Sequence, residues 1–242
     1  MKYYNIAGLS VAMDSFGKTV EQAKPYLAET VDNPDITVVS QWQRLKKSRP
    51  QVSEESCEYL STGTSFYRQL IKFNGIMLHS SAVVMDGKAY LFTAPCGTGK
   101  STHTSLWLEE FGERAFILND DKPAVRLENG VFYAYGTPWS GKTNQNVNCR
   151  VPIGGICIIE RGEQNEIKRV TGKTAVFGIF SQTLKPKNAK YMDKVLELIS
   201  KLIEAVPIWQ MSSNTDPEAA HVSFEAMSVF SQKKHEEISN ED

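Results

Sequence analysis

The sequence predicts an α/β protein of mixed α+β character, a hairpin-rich mixed β-sheet carrying a phosphate-binding loop with flanking helices. Three observations predict it. First, residues 89–123 read AYLFTAPCGTGKSTHTSLWLEEFGERAFILNDDKP. A short apolar run enters a Gly-rich turn ending in Gly99-Lys100-Ser101, a helix-forming segment follows, and a second apolar run stops at Asp120-Asp121. Strand, cradle, helix, strand and acidic pair, in that order, are the minimal equipment for a nucleoside triphosphate and its metal. Second, Asp86-Gly87 and Asn129-Gly130 each separate two β-prone runs, the strongest short-range hairpin signal. Third, the last third of the chain carries helical patterns.

The elements follow in order. Residues 3–7 and 36–40 read as strands, and the basic run 44–49 before Pro50 reads as a solvated turn. We expect residues 1–62 to form a β-rich extension packed on the core. Residues 65–73 read as a short amphipathic helix closed by Asn74-Gly75. Residues 77–85 and 89–93 form a hairpin, so the strand entering the Gly-rich turn is a second hairpin arm. A Rossmann-type or Ras-type unit opens straight into that strand instead. Residues 102–111 are helical, with Leu106, Leu108 and Phe111 available to a core. Residues 124–127 pair with 131–135 across Glu128-Asn129-Gly130, and 151–160 with 167–170 as a third hairpin across 162–165. Helices over 174–184 and 190–205, a strand over 207–211 and a helix over 217–227 complete a nucleotide-binding domain of residues 63–230. Residues 231–242 form a polar tail.

Two glycine loops compete for the phosphate. The strict pattern G-x-x-x-x-G-K-[ST] matches GTPWSGKT at 136–143 and misses APCGTGKS at 94–101, whose first glycine is replaced by Ala94. Context selects 94–101, because a strand feeds it and a helix leaves it. The 136–143 loop is followed by polar residues poor in helix formers, then Pro152. The nucleotide-binding residues are therefore Cys96, Gly97, Thr98, Gly99, Lys100, Ser101 and Thr102. Their main-chain N–H groups face phosphate, Lys100 brings a point charge to the β- and γ-phosphates, and the Ser101 hydroxyl ligates Mg²⁺.

Composition narrows the function classes. The 242 residues carry 27 basic and 28 acidic side chains, net −1, which argues against nucleic acid as a partner. No run approaches a transmembrane span, so no membrane partner is expected. The first residues lack the apolar core and cleavage site of a signal peptide. Cys57, Cys96, Cys149 and Cys157 form no C-x-x-C pair, which points to free thiols in a cytoplasmic protein and away from zinc. Cys96, inside the loop, is read as a small residue that fits there, with oxidation as the alternative.

Several local stretches resemble the HPr kinase/phosphorylase catalytic domain and the nucleotide domain of ATP-dependent phosphoenolpyruvate carboxykinase, which share a fold. Leu78-His79-Ser80-Ser81-Ala82, then Asp86-Gly87, resembles the M-H-x-S-A…E-G segment of the carboxykinases. CGTGKST at 96–102 resembles their S-G-T-G-K-T-T, and Leu118-Asn119-Asp120-Asp121 resembles G-D-D there and A-D-D in the HPr kinases. Gly130-Val131-Phe132 followed by Gly141-Lys142-Thr143 resembles G-V-x-N-x-E-G-G-C-Y-A-K-T. The resemblance covers residues 76–160. The chain is too short for a carboxykinase, and the R-G-x-G-I-I-N-type segment of HPr kinases is absent. Neither family's substrate is carried over; short stand-alone HPr-kinase-like bacterial proteins are the nearest in kind.

The resemblance implies that Asp120 and Asp121 divide the work of metal ligand and base, with Asp120 taken for the metal beside Ser101. It implies that His79 faces the γ-phosphate or a metal, against the rival reading of a structural histidine. Phosphoryl transfer needs cations over the equatorial oxygens, and Lys142 and Arg150 are the candidates, with surface charge as the other reading of each. Trp139 either stacks on substrate or packs, while Trp107 and Trp209 read as core. The expected function is a Mg-ATP-dependent kinase that phosphorylates a hydroxyl of a small molecule or a peptide serine. A nucleotide-binding regulatory module without transfer, or a phosphorylase or pyrophosphate-using enzyme, stands as the alternative. Homo-oligomerisation stays open.

Overall fold

The computed structural model describes the backbone of residues 1–239 and the side chains of residues 1–228. Strands β1 (Lys2–Ile6) and β2 (Leu9–Met13) form a hairpin, and β3 (Ile36–Val38) joins β2 in parallel. Helix α1 (Gly17–Ala23) lies between β2 and β3. Helices α2 (Trp42–Ser48) and α3 (Glu54–Leu70) follow. The basic run expected as a turn thus forms most of α2. Helix α3 starts at Glu54 rather than near Ser65, because Ser53 caps it by accepting from Ser56 N and Glu54 and Glu55 suit its positive end. Its buried face holds Glu58, Thr62 and Gly63, which hide the apolar stripe from a sequence reading. The boundary expected at residue 62 falls inside this helix, and the segment before it is part helix, not β-rich alone.

Strand β4 (Gly75–Met77) leads into the hairpin β5 (Ser80–Met85) and β6 (Lys88–Thr93), turning through Asp86 and Gly87, both at positive φ. Helix α4 (Lys100–Phe111) leads to β7 (Ala115–Asn119), then to the hairpin β8 (Ala124–Glu128) and β9 (Val131–Tyr135). Strand β10 (Arg150–Arg161), β11 (Glu166–Val170), α5 (Gly172–Ser181), α6 (Ala189–Ala205), β12 (Ile208–Ser213) and α7 (Glu218–Ser239) complete the described chain. The polar tail expected over 231–242 is helical backbone as far as Ser239, and residues 240–242 lie outside the described residues.

The long β10 serves two ladders. Its start, Arg150 to Pro152, pairs antiparallel with β9 and extends the meander β4-β8-β9. Its remainder lies between β6 and β12, parallel to both, in the order β7-β5-β6-β10-β12-β11. The pairing with β6 shifts register between Ile153 and Gly155, where the strand changes ladders. The third hairpin expected from sequence does not form, because β12 sits between β10 and β11. The reason is burial. Strand β10 is buried through its centre and needs an apolar neighbour on each side, whereas Glu166, Lys168 and Arg169 fit β11 for an edge.

Alternate residues serve opposite faces. Tyr90 and Phe92 of β6 and Cys157 and Ile159 of β10 face the core holding Trp107 of α4 and Met227 of α7. Ala89 and Leu91 of β6 and Ile156 of β10 face the core holding Ile179 of α5 and Leu198 and Leu202 of α6. The sheet is therefore covered by helices on both sides, and its strand ends are left to form a site.

Candidate active site

Strand direction brings the chemistry together. Strands β6 and β7 both run antiparallel to β5, which lies between them, with Ser80 opposite Thr93 and Ala82 opposite Asn119. The start of β5 therefore shares one sheet end with the ends of β6 and β7. His79, the loop after Thr93, and Asp120-Asp121 meet there. The same place is a break in the sheet. Segments 75–85 and 115–128 run alongside each other, pairing as β4 with β8 and as β5 with β7. Between those pairings the ladder is interrupted at His79 on one side and at residues 120–123 on the other.

Asn119 shapes the break. Its buried side chain accepts from Asp121 N (3.1 Å) and Lys122 N (2.8 Å), an Asx turn, and donates to Thr137 O at 2.8 Å. Pro123 supplies no N–H for the ladder.

The Gly-rich loop has the expected context. Strand β6 feeds it, and α4 leaves it at Lys100 with Gly99 as the preceding cap (φ 119°). Gly97 is also at positive φ (80°), and open space surrounds both. L-residues with side chains disfavour that backbone conformation. Cys96, Gly97, Ser101 and Thr102 are exposed, Thr98 and Gly99 half-buried. Lys100 is buried and donates to Ala94 O (3.0 Å) and Pro95 O (3.3 Å). Burial pulls its ammonium below the ordinary lysine value, against the opposing pull of Asp121.

Asp120 is buried. Its Oδ1 accepts from Ser81 Oγ (2.7 Å) and its Oδ2 from Thr143 Oγ1 (2.9 Å). Ser81 Oγ, whose proton goes to Asp120, accepts in turn from Thr104 Oγ1 of α4 (2.8 Å). Ser81 and Thr104 thus link the carboxylate to α4. Asp121 lies 3.3 Å from His79 Nε2 and pairs with Lys122. Burial pushes the Asp121 carboxyl up, but the His79 hydrogen bond and the Lys122 ammonium together outweigh it and hold it down at about 2. His79 is held in turn by Gln182, which accepts its main-chain N–H (2.9 Å) and meets Nδ1 with Oε1 (3.0 Å).

The second glycine loop packs on the acidic pair. Asp120 N donates to Gln145 O, and a Cβ on Gly141 would meet Asp121 Cβ at 2.8 Å. Lys142 is exposed and makes no hydrogen bond or ion pair among the described residues; it is close enough to Lys18 to perturb its charge. Trp139 is core. It is fully buried, stacks on Phe66 and donates to Thr62 Oγ1.

Arg150 is not brought to this place. Its backbone lies two strands across from Ala124, through Tyr135, but its guanidinium turns away to Glu128 at the far end of β8 and stacks on Tyr133. The cation that does reach the loop is Arg161, at the other end of β10, donating to Gly97 O (2.5 Å) and Thr98 O (3.2 Å). Sequence reasoning missed it because the register of β10 against β6 is non-local. It also missed Lys122 and Lys18, whose ammonium groups each lie 5.2 Å from the Tyr59 ring centre. A cleft of about 460 Å³ opens beside the loop, lined by Ala94, Pro95, Lys173, Phe177 and Gln182.

Among the described residues no three His, Cys, Asp or Glu side chains are grouped to hold a metal by themselves. Mg²⁺ does not require such a cage, since it takes one or two carboxylates and completes its shell with water and phosphate oxygens. The Ser101 hydroxyl and the Asp120 carboxylate are hard oxygen donors of the kind that demand calls for. No described helix is long and apolar enough to cross a membrane.

No family model matches the chain, and no curated protein matches it. Among solved structures, the Hpr(Ser) kinase/phosphatase from Coxiella burnetii is similar, with a TM-score of 0.39 and 11% identity over 66% of this chain and 98% of that one. The relation is distant.

Proposed function

We propose that the protein is a nucleoside-triphosphate-dependent phosphotransferase that moves a γ-phosphoryl group to a hydroxyl. The observation that carries this reading is the meeting of the Gly-rich loop, Asp120-Asp121 and His79 at one sheet end. The loop N–H groups and Lys100 hold the triphosphate, with phosphate oxygens replacing the carbonyls of Ala94 and Pro95 around the ammonium. Ser101 and Asp120 hold Mg²⁺, which when bound offsets the charge of the polyphosphate. The acceptor hydroxyl lies in the cleft beside Pro95, where Phe177 offers an apolar surface and Gln182 fixes His79. Its oxygen attacks the γ-phosphorus, the bond to the β-phosphate oxygen breaks, and a nucleoside diphosphate leaves. Asp121, held ionised, receives the hydroxyl proton, a role typically worth 10²–10⁴-fold in rate. Lys122 and Arg161 supply positive charge on either side of the transferred group. The sequence resemblance to HPr kinases agrees with this reading.

The test is ADP release by the purified protein with ATP, magnesium and a panel of serine peptides and small polyols. The expected result is acceptor-dependent release that falls by about 10²-fold or more in Asp121→Asn and in Lys100→Ala. Tight ATP binding with no release for any acceptor would replace this reading with that of a nucleotide-binding module.

A further inference from the structure

We propose that the groove between α2 and α3 is a docking surface for an acidic, extended peptide segment of a partner protein. The groove encloses about 740 Å³. Arg44 and Arg49 line it from α2 and its end, Arg68 from α3, and Lys187 from the loop before α6, while no aspartate or glutamate lines it. The whole chain carries 27 basic and 28 acidic side chains, so this concentration of one sign is local. None of these residues belongs to the candidate active site.

The four cations are the central observation. All are exposed, and none makes a side-chain hydrogen bond or ion pair among the described residues. Like charges gathered without a counter-charge repel, and an anion carrying several charges relieves that. Two hydroxyls add donors. Ser61 Oγ accepts from Gln41 N (2.6 Å) and Ser65 Oγ from Val39 N (3.0 Å), which fixes each oxygen and leaves its proton to donate. Shape selects the occupant. Successive turns of α3 set Leu60, Thr64 and Arg68 in one row along the groove and Ser61, Ser65 and Gln69 in the next. At about 1.5 Å per residue these rows span roughly 13 Å, room for about four residues of extended chain. Val39, 60% exposed, and Leu45 and Leu60 set apolar surface among the charges, which a peptide side chain uses and a bare polyanion does not. Single-stranded nucleic acid stacks its bases on aromatic rings, and none lines the groove. Clustered arginines bind the carboxylates of an acidic motif through forked hydrogen bonds.

The probe is a fluorescein-labelled peptide with glutamates on both sides of a central leucine, titrated with the full chain at low salt and followed by anisotropy. The same peptide with glutamine for every glutamate is the neutral control. The expected result is saturable binding of the acidic peptide with Kd on the order of 100 μM, and the neutral one about tenfold weaker or more. Arg68→Glu and Arg44→Glu are each expected to weaken the acidic peptide by about tenfold. Lys168→Glu, an equal charge change on the exposed edge strand β11, and Lys100→Ala in the Gly-rich loop are expected to change it by less than about twofold. Equal binding of the two peptides, no saturable binding of either, or a loss in Lys168→Glu as large as in Arg68→Glu would overturn the proposal. So would displacement of the peptide by oligothymidylate or tripolyphosphate at concentrations below the peptide's own Kd, which would give the groove to nucleic acid or to a free polyanion. Should Arg68→Glu fail to fold by circular dichroism, Arg44→Glu and Lys187→Glu decide; unchanged affinity in both contradicts the surface.

Discussion

At Asp121 burial and ion pairing act in opposite directions, and pairing prevails. The folded-state value of about 2 lies below the usual 3.8, so the fold favours the charged form. The stabilisation is fully present above about pH 4 and is lost as pH falls towards 2. Asp121→Asn is expected to lower stability by about 1–2 kcal/mol at pH 7 and to match the parent near pH 2, read from denaturant midpoints. Glu58 has the reverse sign. Burial, against the Thr19 and Phe16 hydrogen bonds, raises it to about 7 from 4.5, so the folded state binds the proton more tightly. Its charge costs stability progressively from about pH 4.5 to 7, and Glu58→Gln is expected to flatten that decline by about 1–3 kcal/mol in thermal melts across the range. Phe177, 74% exposed on the cleft wall, is expected on the proposed mechanism to contribute to KM for the acceptor. Phe177→Ala should raise that KM about fivefold without altering ATP affinity, checked by steady-state kinetics and calorimetry. At this scale the sequence displayed the reactive residues but not their neighbours. The Gly-Lys-Ser and Asp-Asp pairs are legible as adjacent letters. Ser81, Thr104 and Asn119, which hold Asp120 and shape its turn, are ordinary polar residues whose role exists only after long-range pairing.

Among the elements, the loop at 136–147 illustrates how a pattern misleads and still marks something real. It matches the strict phosphate-loop consensus but has no helix behind it. Instead it lies along the end of β7, with Val147 N donating to Leu118 O. Gly136 is required by packing, since a Cβ there would lie 1.9 Å from Val147 O. Gly136→Ala is expected to destabilise the protein by about 3 kcal/mol or prevent folding, and soluble yield with a thermal melt reads it directly. The two tight hairpins were legible because Asp86-Gly87 and Asn129-Gly130 are local signals for positive φ. The insertion of β12 between β10 and β11 was not, because parallel pairing is decided by burial far along the chain.

For the whole molecule, the N-terminal third and the site are one construction. Tyr59 of α3 accepts from Gly141 N, Gln22 of α1 bonds Gly141 O and Asn144, and Tyr4, Phe66 and Trp139 share a core with Tyr135. A chain beginning at residue 71 would expose Trp139 and Tyr135, each worth about 1.5–3 kcal/mol of burial. It is expected to aggregate or to melt at least about 10 °C lower, with no nucleotide binding, as light scattering and calorimetry would show. The sequence read this third as an extension because α3 is rich in small and polar residues. The most direct measurement is isothermal titration calorimetry of the full chain with ATP and magnesium. Saturable heat with one site per chain is expected, weakened about tenfold or more by Lys100→Ala and unaffected by Lys142→Ala. Absence of heat from ATP, ADP and pyrophosphate alike, with the protein folded, would contradict it.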